Sequence, residues 1–186
     1  MNDKMKECIV ICHGKSEVSI MKFIKQVYRL PMKIVAEDGG KNSIQITSLL
    51  NFLNRRDYKN VAGFLKTFEL DKLTKNTKIF TIMDTDDCNI TQFNAYIDKS
   101  MFKNHHLENY IIPIYNKINL EDVIKRTNLN IYNNKADAVK IFPIPNKKNN
   151  ITKKDSVQIV YDELKNDKGT NLDKLLLYCM KNETKF

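Results

Sequence analysis

The run Lys78-Ile79-Phe80-Thr81-Ile82-Met83 leads straight into Asp84-Thr85-Asp86-Asp87. β-Branched and aromatic residues in such a run predict a buried strand. Three carboxylates within four residues then sit just past its carboxyl end. Open α/β sheets collect their ligands at that place. Carboxylates this close repel one another, and a divalent cation is the usual remedy. The competing reading is a solvated turn whose aspartates cap a helix.

Strand and helix signals alternate on both sides of this feature. Cys8–Cys12 is all apolar, as expected of a parallel strand buried on both faces. After His13-Gly14-Lys15, Ser16 is expected to cap a helix with Val18, Met21, Ile24 and Val27 on one side. Met32–Ala36 reads as a second strand, and Glu37–Asn42 as a turn with paired glycines. Helices are expected from near Ser43 through Leu53, over Val61–Phe68 and over Thr91–Lys99. Tyr110–Tyr115 reads as a fourth strand, with Pro113 pointing to an edge. Asn119 caps the next helix, and two more, Asp155–Asn166 and Asn171–Met180, close the chain. This alternation implies an α/β fold: a mainly parallel four-stranded sheet flanked by helices, in a single domain with C-terminal helices.

The 186 residues suit one core. No apolar run approaches the ~20 residues that span a bilayer, and the apolar stretch from Cys8 is too short for a signal peptide. A cytoplasmic protein without a membrane partner is expected. The cysteines, at 8, 12, 88 and 179, lack zinc spacing and read as reduced thiols. His105-His106 reads as an ordinary loop or helix-start pair. The formal charge of +9 favours a polyanionic partner, although a chain this rich in Lys, Asn and Ile also reflects AT-rich coding. The basic run Asn146–Lys154 reads as a solvated loop.

Gly14-Lys15-Ser16 has the ending of a phosphate-binding P-loop. That motif needs a glycine five positions earlier, where Ile9 stands inside a strand, so it is rejected. Taken together, the two strand ends resemble another pattern. An apolar strand, a polar residue and glycine, an acid three positions on, and a later strand ending in Asp-x-Asp resemble the TOPRIM domain. This is the metal-binding module of topoisomerases, primases, small maturation nucleases and overcoming-lysogenization-defect (OLD) type nucleases. Gly14 matches the first-motif glycine, Glu17 the second acid of OLD-type members, and Asp84 and Asp86 the Asp-x-Asp. Glu121 resembles a further acid found in some members. His13 departs from the pattern, because the family carries glutamate there.

The resemblance covers roughly residues 6–127, leaving 128–186 as a helical extension expected on the same core. It implies a TOPRIM/Rossmann-like sheet and magnesium or manganese held by Glu17, Asp84, Asp86 and Glu121. It also implies a stand-alone nuclease acting on DNA or RNA. His13, Glu17 and Lys15 are the candidate catalytic residues, and Lys15, Lys41 and Lys168 the candidate nucleic-acid contacts. Imidazole can replace the family glutamate as neutral ligand or as base. The same swap also occurs where activity has been lost, and a lone histidine at a strand end is often a hydrogen-bonded turn residue. A degenerate module that binds nucleic acid or protein without chemistry is therefore the alternative. A phosphatase or glycosyltransferase fits less well: the phosphatase motif needs threonine where Cys88 stands, and glycosyltransferases of the Asp-x-Asp type are normally larger.

Overall fold

The computed structural model describes residues 8–144 and 151–184. Its strands are β1 (Cys8–Cys12), β2 (Met32–Val35), β3 (Lys78–Asp84) and β4 (Ile111–Asn116). Its α-helices are α1 (Lys15–Tyr28), α2 (Ile46–Leu53), α3 (Val61–Phe68), α4 (Ile90–Ile97), α5 (Leu120–Lys125), α6 (Lys153–Leu164) and α7 (Leu172–Lys181). The sheet is all parallel in the order β2-β1-β3-β4, so the fold is α/β with helices on both faces.

Strand alternation divides the core in two. Cys8, Val10, Cys12, Phe80, Ile82 and Ile114 face the side packed by α1, α5, α6 and α7. Ile9, Ile11, Ile79, Met83 and Ile111 face the side packed by α2, α3 and α4. Both faces of β1 are therefore buried, which is why its sequence is apolar without a break. β4 is one of the two edge strands, where Pro113 is tolerated because one side of the strand has no neighbouring strand. Among the described residues no helix is long and apolar enough to cross a membrane. The thiols of Cys8, Cys12, Cys88 and Cys179 are free.

Several local expectations need correction. Ser16 is not the cap of α1: the helix starts at Lys15 with Gly14 as N-cap, and Ser16 is a buried first-turn residue. Residues 43–45 are not helical, because Ile44 is drawn down onto the end of β1, where its N–H donates to the His13 carbonyl at 2.8 Å. Three 3-10 helices among the described residues, Glu37–Gly40, Ser100–Phe102 and Lys135–Ile141, lay outside the helical pattern. In the basic run, residues 146–150 lie outside the described residues, while Thr152 caps α6 through Asp155 N–H. Gly40 has φ 90°, and a Cβ there would lie 2.9 Å from the backbone of Lys15. Only glycine lets this turn press against the start of α1.

Tyr96 ties α4 to the sheet. Its side chain is fully buried, and its hydroxyl lies 2.6 Å from the Thr81 carbonyl, 2.9 Å from that of Ile114 and 2.8 Å from Thr81 Oγ1. Tyr96→Phe leaves these acceptors without their shared donor. It is expected to cost about 1–3 kcal/mol, read as a lower urea midpoint at unchanged slope.

Candidate active site

The site forms where β1 and β3 end side by side. Cys12 pairs with Ile82, and the ladder continues one step as His13 N–H donates to the Ile82 carbonyl at 2.8 Å. The two sequence clusters are thus brought together by adjacent parallel strands. A third contribution comes from beyond β4, where Asn119 caps the short helix that carries Glu121. A pocket of about 490 Å³ opens here, lined among others by His13, Asp84, Asp86, Glu121, Tyr132 and Lys135.

His13 is held from both sides. Its Nδ1 lies 2.9 Å from the Ile44 carbonyl, and a carbonyl can only accept, so Nδ1 carries a proton. In the neutral ring Nε2 then presents its lone pair, 3.6 Å from Asp84 Oδ2. The turn at residues 37–44 therefore selects the tautomer of the site histidine.

The carboxylates occupy different environments. Asp84 is buried, and its Oδ1 accepts from Asn116 Nδ2 at 3.1 Å. Thr170 Oγ1 in turn lies 3.0 Å from Asn116 Oδ1, so the segment before α7 braces the floor of the site. Glu17 is buried at the third position of α1, and its Oε2 accepts from Gly14 N–H at 3.0 Å. Its helix-capping role is therefore real, alongside any other. Glu121 accepts from Ser16 Oγ at 3.2 Å, which explains why Ser16 is buried rather than capping. Asp86 is exposed on the pocket rim. Asp87 turns away and accepts from Thr47 N–H at 3.2 Å and Thr47 Oγ1 at 2.8 Å, capping α2.

Burial and crowding hold protons here. The Asp84 carboxyl is pushed up to about 8, first by burial and then by the charge of Glu17, against the lowering effect of Asn116. Glu17 is also raised, chiefly by burial, with backbone hydrogen bonds and His13 opposing. Each of these acids feels Glu121, so the carboxylates share one electrostatic neighbourhood. Among the described residues, however, no three His, Cys, Asp or Glu side chains form a ready metal cage.

A pH dependence follows. Asp84 rises from an ordinary 3.8 to about 8, so the folded chain binds its proton more tightly than the unfolded chain. In metal-free buffer this contribution to stability is full below about pH 4, falls as pH rises and levels off above about pH 8. Asp84→Asn keeps an acceptor for Asn116 and removes the buried charge. At pH 8 it is expected to raise the metal-free melting temperature by at least about 3 °C, with little effect at pH 4.5. Thermal melts in chelator across this range check it.

The remaining candidates separate. Lys15 is exposed at the first position of α1, and Lys41 is exposed 3.7 Å from Asp38; neither lines the pocket. Lys168 lines a different hollow, with Lys117. His105 and His106 lie in the turn before β4, and both are lowered by burial. Lys125, Lys135, Asn116 and Tyr132 were not legible as site residues. Tyr132 is 6 % exposed, yet its hydroxyl is buried without a well-formed hydrogen bond, close to Ser16 and Glu121. A buried hydroxyl without a well-formed hydrogen bond is costly unless something completes it.

Comparison of the chain with protein-family models, with curated proteins and with solved structures gives no match.

Proposed function

We propose that this chain is a TOPRIM-like phosphodiesterase, a magnesium- or manganese-dependent nuclease with histidine in its first motif. The observation that carries the reading is the convergence, at the ends of neighbouring strands β1 and β3, of His13 Nε2 with Asp84 and Asp86 on one pocket, with Glu17 buried behind them. The donor set suits a hard cation, and magnesium is commonly held by one or two carboxylates plus water and substrate phosphate rather than by a closed cage. A divalent ion held by Asp84 and Asp86, with Glu17 or Glu121, would neutralise a phosphate and acidify a water.

The chain's own residues divide the rest. His13 Nε2 accepts a proton from the attacking water, and its Nδ1–H bond to Ile44 keeps that nitrogen in place. Lys125 and Lys135 on the pocket wall offer charge to the phosphate. The Tyr132 hydroxyl, buried beside Ser16 and Glu121 in the pocket lining, is placed to donate to a phosphate oxygen or to water. The chain's overall charge of +9 suits a polyanionic substrate.

The degenerate module is the second reading, favoured by His13 itself and by the lack of a closed cage. Incubation of labelled single- and double-stranded DNA and RNA with and without manganese separates the two. Metal-dependent cleavage supports the nuclease, and its absence across all four substrates supports the module. In an active preparation Tyr132→Phe is expected to lower turnover about tenfold. Its melting temperature should fall by no more than about 4 °C, the worth of one weak contact to Ser16 or Glu121.

A further inference from the structure

A second hollow, of about 330 Å³, adjoins the first across a thin wall. Asp84 and Asp86 line the acidic pocket, whereas Thr85, between them, and Cys88 line the second. The wall is fixed by hydrogen bonds: Thr85 N–H and Asp86 N–H donate to the Ile118 carbonyl at 3.0 and 3.1 Å, and Ile118 N–H donates to Thr85 Oγ1 at 2.9 Å. One body of the hollow is aromatic, with Phe93 and Tyr115 edge to face at 5.1 Å between centroids. One lip is Ile90, 70 % exposed at the first position of α4. The lining also includes Lys117 and Lys168, neither of which has a carboxylate partner among the described residues. The nearby Asp167 is already committed to Arg126, at 3.1 and 3.2 Å.

Flat apolar walls beside two cations, a residue's width from a carboxylate cluster, match the parts of one nucleotide. We propose that this hollow is a base-binding subsite for single-stranded nucleic acid, holding an unpaired base against Phe93, Tyr115 and Ile90. Lys117 and Lys168 receive its phosphate, and the neighbouring phosphate lies over the acidic pocket. The inference rests on the nuclease reading and names its substrate class. The volume lies at the small end of ligand sites, which run from about 300 to 1,000 Å³, as one nucleotide requires. The strand must be single because a paired base keeps its faces stacked within a duplex, whereas an unpaired one can turn onto aromatic side chains.

The probe is a short oligonucleotide carrying 5-iodouracil, bound in chelator so that nothing is cut, then irradiated and mapped by mass spectrometry. Crosslinks are expected at Phe93 or Tyr115. The substitutions Ile90→Asp, Lys117→Ala and Lys168→Ala, combined, should weaken single-strand binding at least about tenfold, because two phosphate-binding cations are lost and a carboxylate is set at the lip. Unchanged melting would show that the fold is intact, and a duplex of the same sequence should compete at least about tenfold less well. Crosslinks that map elsewhere, or a triple variant that binds like wild type, overturn the subsite and leave cleavage at the acidic pocket standing. Absence of single-strand binding also overturns it, while a metal-dependent rise in melting temperature would still speak for the acidic pocket. Crosslinks at Phe93 or Tyr115 without any metal-dependent cleavage uphold the subsite and remove the nuclease reading.

Discussion

Asp84→Asn combined with Asp86→Asn is expected to abolish both cleavage and the rise in melting temperature that magnesium or manganese gives the wild-type protein. The expected wild-type shift is sizeable. An ion at a hundred times its dissociation constant stabilises the native state by about 2.7 kcal/mol. For a chain of this length that is about 5–10 °C. Loss of the shift in the double variant cannot be put down to misfolding, because removing the buried Asp84 charge should stabilise the metal-free protein near pH 8. Asn116 keeps an oxygen to donate to, and Asp86 is exposed, so neither change opens the core. A shift that persists in the double variant would put the ion elsewhere. Cleavage that persists would belong to another site or another protein, and the functional reading would fall with it.

The parts of this site that were legible in the sequence are those fixed by local pattern. β1 and β3 announce themselves because strands buried on both faces admit only apolar residues, and the polar residues that break such a run must lie at its end. Glu17 stood out only through the resemblance; its capping of α1 was hidden because the cap was expected at Ser16 rather than Gly14. The strand order is less local. Alternation alone allows several orders, and only the requirement that His13 and Asp84 meet singles out β1 beside β3. Tyr132 left no trace, because it lies in an irregular stretch that tertiary packing alone brings against Ser16 and Glu121. The Ile44 carbonyl that orients His13 is likewise a backbone group, invisible to any reading of side chains. Lys168 shows the limit from the other direction. Its turn suggested a phosphate contact at the acid cluster, yet the segment that follows β4 places it across the wall, beside Lys117.

His13 is where the enzyme and the binding module part, and three substitutions separate its roles. His13→Ala removes the Nε2 lone pair and the bond to Ile44 together. Turnover should fall about 10²-fold or more, the usual worth of a positioned base or ligand. His13→Gln retains an amide N–H that can donate to Ile44 but offers no basic nitrogen. If its turnover matches that of His13→Ala while its melting temperature matches wild type, the lost function is proton transfer rather than support of the loop. His13→Glu restores the family residue and should retain measurable cleavage. It also adds a carboxylate beside Asp84, whose Oδ2 lies 3.6 Å from His13 Nε2, and close to Glu17, with no new cation in the protein. Its metal-free form should therefore melt lower than wild type above neutral pH, and its metal-induced shift should be larger, because the ion now relieves one more repulsion. In a degenerate module wild type cuts nothing, and cleavage gained by His13→Glu alone would show that the replaced glutamate was what catalysis lacked. Cleavage by wild type that His13→Ala leaves within twofold would remove His13 from the chemistry and return it to the role its Ile44 bond already gives it, a clamp on the loop over β1.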